Sequence, residues 1–420
     1  MKVLFRNAEM YLGGMMKRSD MLFDGASLSA FDGDASSVDF VFDDILIIPG
    51  FCDVHVHLRE PGFSYKETIE SGTLAAARGG YTAVCSMPNL SPAPDSVENL
   101  GVQLDLIRKN AKIAVYPYGT ITVGEAGEKI ADLEGMAGDV IAFSDDGKGV
   151  QSAEMMCEAM VRARELGKMI VAHCEDNSLL RGGYIHDGEY ARLHGHRGIC
   201  SESEWGPIKR DLELVEKTGC AYHVCHISTK ESVEIIREAK ARGVSVTCET
   251  GPHYIILDDS CLQEHGRFKM NPPLRSPEDR EAILEGIVDG TIDMIATDHA
   301  PHSEEEKSRG LEKSAMGVVG IESAFALCYT HLVKTGKITM ERLIELLVKN
   351  PRERFGITSD EGFTVFSVGE KHKIDPREFL SKGKATPFEG AEVFGRCLAT
   401  VMNGKAVYLD KSLINETEEI

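Results

Sequence analysis

The sequence predicts an α/β fold: a (β/α)8 TIM-type barrel with a small composite β-sandwich domain formed from both termini. Eight strand-like runs alternate with helical patterns in the middle of the chain. Both ends are β-like and rich in turn residues instead. The 420 residues accommodate a barrel of roughly 250 to 300 residues plus a minor domain. We therefore expect the barrel at residues 49–356 and the β-rich domain at residues 1–48 plus 357–420.

The two ends of the chain have similar sequence patterns. Up to about residue 48 the sequence consists of short β-like pieces separated by Gly and Asp, which favours a small sheet over helices. The segment from about residue 362 is similar and contains Asn403–Gly404, a dipeptide typical of β-hairpin turns. This likeness predicts a single domain to which both termini contribute.

The middle of the chain supplies the strands and helices of the barrel. The predicted strands are residues 51–57, 81–87, 112–118, 139–144, 168–174, 220–227, 244–249 and 292–298. Helical patterns at 152–167, 201–219 and 229–243 lie between some of them, and each ends at a glycine. Two connections, 175–202 and 299–320, are too long for tight turns. We expect both to shape the barrel mouth, the second as a lid.

Charge and cysteine usage exclude several classes of protein. The chain has 46 Lys and Arg against 67 Asp and Glu, a net charge of -21, so its surface should repel nucleic acid. Its eleven cysteines form no CxxC pair, which favours reduced thiols in a cytoplasmic protein. No run of 18 uncharged apolar residues and no signal peptide is present, so we expect no membrane association.

A metal site is the first chemical hypothesis. His55 and His57 lie two apart on the first predicted strand, so both side chains point to the same face and can bind one ion. Alone, such a pair is more often a set of hydrogen-bonded core groups. Further nitrogen and oxygen donors at other strand ends make a metal site the better interpretation. The complete set is His55, His57, Asp146, His173, His226 and Asp298.

Six donors exceed the four ligands of a tetrahedral zinc site, but they suit two divalent cations that share a carboxylate. We expect Asp146 to bridge, His55, His57 and Asp298 to bind one ion, and His173 and His226 to bind the other. Such a pair of ions activates water for attack on a carbonyl group. Asp298 is then the catalytic residue, a general base that passes the proton to the leaving nitrogen.

Several strings narrow the hypothesis when they are taken in order. They are HLREPG, MPNLSPAPD, FSDDG, AHCED, MNPPLR, DHAPH and SKGKATPFEG. Together they resemble the class I dihydroorotase family of the amidohydrolase superfamily over about residues 1 to 410. The resemblance implies reversible hydrolysis of dihydroorotate to N-carbamoyl-L-aspartate in pyrimidine biosynthesis. It also implies two Zn2+, the second of which can be weakly held. The family spacing of 27 residues to His173 favours Asp146 as the bridge, with Asp145 as the alternative.

The substrate carries a carboxylate, and Arg59 offers a guanidinium suited to it. The alternative for Arg59 is a surface ion pair with Glu60 or Glu67. The resemblance implies further contacts around the carboxylate and the ring. Those substrate-binding residues are His57, Asn89, Asn271, His302, Met316 and Gly317, the last two standing where the family usually has Phe-Gly.

Two other functions remain open from the sequence. A related cyclic-amide hydrolase such as a hydantoinase or allantoinase would place a carboxylated lysine, rather than Asp146, at the bridge. A catalytically silent partner of aspartate transcarbamoylase would be expected to have lost metal ligands, and none is missing here. The resemblance also implies a homodimer and a possible complex with aspartate transcarbamoylase.

Overall fold

The structure is a computed structural model that describes residues 2–358 and 362–413. Its strands form a sheet from the two termini, a barrel, and a short ribbon in one of the long connections. In chain order the strands are β1 (Val3–Leu12), β2 (Met15–Phe23), β3 (Leu28–Ala30), β4 (Phe40–Phe42), β5 (Ile45–Pro49), β6 (Phe51–Val56), β7 (Tyr81–Ser86), β8 (Ala114–Pro117), β9 (Ile170–Ala172), β10 (Ile185–His186), β11 (Gly198–Ile199), β12 (Tyr222–Val224), β13 (Val246–Thr250), β14 (Met294–Ile295), β15 (Gly362–Lys373), β16 (Glu392–Met402) and β17 (Lys405–Leu409).

The terminal sheet joins both ends of the chain. Its strand order is β17-β16-β15-β5-β1-β2-β3, and β4 pairs with β1. The N-terminal half meets the C-terminal half where β5 and β15 pair antiparallel, from Phe363 opposite Pro49 to Ser367 opposite Ile45. The predicted turn at Asn403–Gly404 connects β16 and β17, and both residues have positive φ, as a type I′ turn requires.

The barrel consists of parallel strands closed by single bridges. Strands β6-β7-β8 form one sheet and β9-β12-β13-β14 another. Phe143 bridges to Gly119 and Ile170 on one side, and Val56 bridges to His299 on the other. The predicted α/β class, a barrel with an additional β domain, is confirmed, as the structural neighbours described below also show. The predicted domain boundaries stay a prediction, and residues 1, 359–361 and 414–420 lie outside the described part.

The fourth predicted strand, 139–144, is reduced to the bridge at Phe143. Its backbone still bonds on both sides: Ser144 N–H donates to the Gly119 carbonyl at 2.9 Å, and Phe143 N–H donates to the Met169 carbonyl at 3.1 Å. Past Ser144 the pairing with the neighbouring segment ends. There the side chain of Asp145, rather than a backbone carbonyl, accepts from the backbone of Ile121 at 2.8 Å.

Helices surround the barrel and cover its mouth. They are α1 (Ile69–Arg78), α2 (Val97–Asn110), α3 (Leu133–Met136), α4 (Ala153–Glu165), α5 (Glu189–His194), α6 (Glu202–Thr218), α7 (Lys230–Ala241), α8 (Pro252–Ile256), α9 (Pro277–Asp289), α10 (Glu304–Lys307), α11 (Gly310–Lys313), α12 (Ala324–Cys328), α13 (Met340–Ile344) and α14 (Asn350–Phe355). The three predicted helices correspond to α4, α6 and α7. Ser152 and Thr229 cap α4 and α7 with side-chain hydrogen bonds.

The two long connections lie on the exit side of their strands. The first contains the β10-β11 ribbon and α5, and the second contains α10 and α11. No helix among the described residues is both long enough and apolar enough to cross a bilayer.

Candidate active site

The six predicted ligands lie at one mouth of the barrel. Each is located in, or within three residues of, the carboxyl end of a strand or of the Phe143 bridge. The carboxyl ends of parallel barrel strands meet at one face, which is why donors far apart in sequence come together. All six side chains are buried.

One group of donors surrounds Asp146 from the side of β6. His55 Nε2 lies 3.3 Å from Asp146 Oδ1, and His57 Nε2 lies 3.5 Å from Asp146 Oδ2. His57 Nε2 is also 3.0 Å from Asp298 Oδ1. His55, His57 and Asp146 thus offer three ligand atoms close enough together to bind one ion.

A second group shares the same carboxylate. His173 Nδ1 and His226 Nε2 lie 3.0 Å apart, and each is 3.7 Å from Asp146 Oδ1. Asp146, His173 and His226 therefore form another set of three donors, with Asp146 common to both sets. The alternative bridge, Asp145, is engaged elsewhere: its Oδ1 accepts from the backbone of Ile121, and its Oδ2 accepts from the Thr122 hydroxyl.

The donor atoms fit divalent cations. His55 Nε2 and Asp146 Oδ1 are buried without a hydrogen-bond partner among the described residues. Unsatisfied buried polar atoms are costly, and an ion would satisfy them. Burial opposes ionisation of Asp146, but the histidines around it, His55 foremost, hold the pKa of its carboxyl well below the usual range. Imidazole nitrogens with carboxylate oxygens are a typical zinc donor set.

Glu249 orients His55 and was not predicted from the sequence. It lies on β13, and its Oε1 is 2.7 Å from His55 Nδ1 while its Oε2 is 3.1 Å from His223 Nε2. The proton on Nδ1 of His55 is thereby fixed, which leaves Nε2 free as a ligand. Burial would raise the pKa of Glu249, but His55 and His223 outweigh it and lower the pKa to about 2. The available signal was an acid at the end of a predicted strand, 244–249.

The two predicted asparagines line the same space. Asn89 Oδ1 is 2.9 Å from His57 Nδ1, and Asn89 Nδ2 donates to Asp146 Oδ2 at 3.3 Å. Asn89 thus contacts metal-ligand candidates directly. Asn271 Nδ2 donates to Glu175 Oε1 at 2.9 Å, while its Oδ1 is buried without a partner among the described residues. Glu175, which the sequence did not single out, therefore orients Asn271.

Arg59 is a buried cation without a carboxylate partner. Its residue is 8% exposed, its Nε donates to the Pro301 carbonyl at 3.1 Å, and no carboxylate of residues 2–358 or 362–413 lies within ion-pair distance. The alternative pairing is absent because Glu60 accepts from the Ile69 backbone and Glu67 accepts from Ser381. Burial lowers the pKa of Arg59. An unpaired guanidinium in such a place favours an anionic ligand.

The predicted lid, residues 299–320, forms the other side of the pocket. His302 Nε2 is 2.7 Å from the Met316 carbonyl oxygen. Lys307, on α10, is 4% exposed and donates to the carbonyls of Ala315 at 2.7 Å and Gly317 at 2.6 Å. It also donates to the Lys269 carbonyl at 3.0 Å. A single ammonium group therefore fixes the backbone on both sides of Met316.

These residues enclose one cavity of ≈ 210 Å³. It is lined by His57, Arg59, Asn89, Asp146, Gly147, His173, His226, Asn271, Asp298, Ala300, His302, Met316 and Gly317. All seven predicted substrate-binding residues are among them, and so are five of the six predicted ligands. Arg59, His226 and Asp298 have φ of 60°, 29° and 46°, a region that costs non-glycine residues about 1–3 kcal/mol and is common at functional sites.

Comparison with known proteins finds one family model and several curated relatives that match the chain. A family model described as dihydro-orotase-like matches residues 44–232. The chain is 46% identical to a dihydroorotase of Fusobacterium nucleatum over 424 residues, covering 98% of this chain and 100% of the relative. It is 48% identical to a dihydroorotase of Bacillus licheniformis over 413 residues, covering 96% of each.

Solved structures show the same fold at lower identity. An L-hydantoinase (dihydropyrimidinase) from Arthrobacter aurescens has a TM-score of 0.81 at 24% identity and covers 97% of this chain and 96% of its own. A dihydropyrimidinase from Brevibacillus agri has a TM-score of 0.80 at 22% identity, covering 98% and 96%. These likenesses concern the barrel and the terminal sheet together.

Proposed function

The chain belongs to the dihydroorotase family of hydrolases, and we propose that it interconverts dihydroorotate and N-carbamoyl-L-aspartate in pyrimidine biosynthesis. The observation that carries the proposal is Arg59, a buried guanidinium without a carboxylate partner in the described chain, on the wall of the cavity that the ligand candidates share. A substrate with both a hydrolysable ring amide and a carboxylate fits this cavity, because the ligand candidates can act on the amide and Arg59 can bind the carboxylate.

The metal part of the proposal is a pair of Zn2+ bound by His55, His57, Asp146, His173, His226 and Asp298. When bound, two such cations supply an activated water and polarise the amide carbonyl. The orphaned atoms of His55 and Asp146 support this assignment. Glu249 keeps His55 in the ligating tautomer.

The protein groups then have distinct tasks in hydrolysis. Asp298 accepts the proton of the attacking water at a carboxylate oxygen and transfers it to the ring nitrogen as the carbon–nitrogen bond breaks. The products are a ureido nitrogen that has gained that proton and a carboxylic acid, which releases the second proton of the water to solvent as it ionises, so ring opening balances with one water. Arg59 and His302 hold the existing carboxylate, and the free Oδ1 of Asn271 accepts from the ring N–H. Reversal uses the same groups in the opposite order.

The decisive experiment compares two rings that differ in one group. Dihydrouracil is dihydroorotate without its carboxylate, so the metal-loaded protein should hydrolyse dihydroorotate and strongly discriminate against dihydrouracil. A chelator should abolish turnover, and added Zn2+ should restore it. Preference for hydantoin, allantoin or dihydrouracil over dihydroorotate would contradict the substrate assignment. Elemental analysis of the purified protein tests the identity and number of the ions.

The proposal also covers the location, the oligomeric state and a partner of the protein. The eleven cysteines are all free, which supports a cytoplasmic location. The resemblance to class I enzymes supports a homodimer and a possible complex with aspartate transcarbamoylase. Light scattering on the protein alone, and then with aspartate transcarbamoylase added, distinguishes a monomer, a dimer and a mixed complex. Activity that requires the added partner would indicate an obligate complex.

A further inference from the structure

The contacts of His302 define where its proton lies. Its Nε2 is 2.7 Å from the carbonyl oxygen of Met316, which can only accept, so Nε2 carries a hydrogen. Its Nδ1 is 3.2 Å from Nζ of Lys66, which can only donate while it is charged, so Nδ1 presents its lone pair. Both contacts specify the same neutral tautomer, with the proton on Nε2.

The charges around the ring are consistent with this state. Burial and then Arg59 and Lys66 lower the pKa of His302 to about 3, so the ring is neutral at physiological pH. Glu306 is the neighbour that would favour a proton on Nδ1, at 3.4 Å from it. However, its Oε2 accepts from the Ser303 backbone at 3.1 Å, and its Oε1 is 3.0 Å from Lys66 Nζ.

Arg59 and His302 present two donors to the same point. Arg59 Nη2 is 3.3 Å from His302 Nε2, and neither atom can accept from the other in this tautomer. A carboxylate oxygen placed between them would accept from both. To do so it would replace the Met316 carbonyl as the acceptor of the His302 proton. If the proton moved to Nδ1, the lone pair of Nε2 would instead face the anion.

We propose that Lys66 is a positioning residue for the substrate: its ammonium group keeps Nδ1 of His302 unprotonated, so that His302 and Arg59 donate together to the substrate carboxylate. The inference rests on the proposed function, because it assigns the carboxylate subsite of that reaction. The side chain of Lys66 is well placed for the task, being 14% exposed and lying 5.5 Å from the ring centre of Phe63. Its bond to Glu306 also ties the loop after β6 to α10.

The first test is kinetic. Lys66→Met should raise KM for dihydroorotate by about tenfold or more, the effect of removing a charge-assisted hydrogen bond, and should change kcat much less. Its residual rate with dihydrouracil, which has no carboxylate, should be unchanged. Lys66→Arg should recover part of the affinity. In a His302→Gln background, Lys66→Met should cause no further loss, because the ring it positions is gone.

The second test observes the proton directly. Nitrogen-15 NMR of histidine-labelled protein, with the His302 signals assigned by their loss in His302→Gln, should show a protonated Nε2 and an unprotonated Nδ1. In Lys66→Met the signals should shift toward the other tautomer. Lys382→Met is the matched control, since Lys382 is an exposed lysine that donates to the carbonyl of Ser64 in the same loop. It should match the wild type in both tests.

The outcomes separate this inference from the proposed function. An unchanged tautomer and KM in Lys66→Met, with normal metal content and melting temperature, would overturn the role of Lys66 while leaving the dihydroorotase assignment intact. Equal losses with dihydroorotate and dihydrouracil would show a general structural effect and also overturn it. If the wild type does not hydrolyse dihydroorotate, the proposed function fails, whereas the NMR result still tests the tautomer.

Discussion

Replacing Arg59 by methionine should separate substrate recognition from stability. Methionine keeps much of the aliphatic volume but removes the only guanidinium group that lines the cavity in the described part of the chain. The variant should bind dihydroorotate poorly, because the substrate carboxylate would be desolvated without its partner. The substrate-free, metal-loaded protein should be at least as stable as the wild type, because a buried charge without a carboxylate partner in the described chain would be gone.

The size of the effect follows from the burial of the pair. Truncating one member of a buried, hydrogen-bonded charge pair costs about 2 to 5 kcal/mol. Since about 1.4 kcal/mol corresponds to a factor of ten, kcat/KM for dihydroorotate should fall by about 30-fold to several thousandfold. The loss should be near the upper end if Arg59, 8% exposed, is covered further when substrate binds.

The assay measures kcat/KM with dihydroorotate and with dihydrouracil, together with thermal unfolding. Arg59→Met should lose discrimination between the two rings, because only dihydroorotate has the carboxylate. Arg309→Met serves as the control, since Arg309 is an exposed arginine on the 299–320 connection, paired with exposed Glu305. If Arg59→Met were less stable and yet discriminated as the wild type does, Arg59 would be a structural residue, and the argument from its burial would be refuted.

Four other predictions concern the metal site and the lid. Asp298→Ala should lower kcat by about a hundredfold to ten-thousandfold as the proton acceptor is lost, and unchanged kinetics would exclude that role. Asp146→Ala should lose bound metal by elemental analysis, whereas Asp145→Ala should retain metal but unfold more easily by about 1–3 kcal/mol, because backbone donors lose their acceptor. Glu249→Gln should weaken metal affinity about 10- to 100-fold in a chelator competition. Burial and then Lys269 lower the pKa of Lys307 from 10.5 to about 7, so the unfolded chain binds more protons between those values. Urea titrations should therefore show that the wild type gains stability relative to Lys307→Met as pH rises from 7 to 10.5, by up to about 5 kcal/mol.

Strand alternation and strand ends made the fold and the outline of the site predictable. Seven of the eight predicted barrel strands coincide with β6, β7, β8, β9, β12, β13 and β14. The fourth is reduced to the Phe143 bridge, although its backbone still bonds to both neighbouring segments, and past Ser144 the Asp145 side chain takes the place of a backbone acceptor. Such an exchange depends on contacts with a segment more than 20 residues away, which local periodicity does not encode.

Contacts across the barrel were beyond the reach of sequence patterns. Glu249 lies 194 residues from the histidine it orients, and Glu175 lies 96 residues from Asn271. In the sequence alone, Glu249 and Glu175 look like ordinary buried or exposed glutamates. Lys66 belongs to the same class, since its contact with His302 joins two connections that no shared motif links. Residue type identified the candidate ligands, but only the fold showed which groups orient them.

The pairing of β5 with β15 determines how early during synthesis the fold can be completed. β5 runs almost directly into β6, the strand that carries His55, and its partner Phe363 is made about 314 residues after Pro49. At about 5–20 residues per second, the ribosome needs roughly 15 to 60 s to reach that partner. Until then the entry to β6 lacks the strand that pairs with β5. Functional enzyme therefore arises only after β15 has been made, and premature termination before β15 yields a barrel without that anchor.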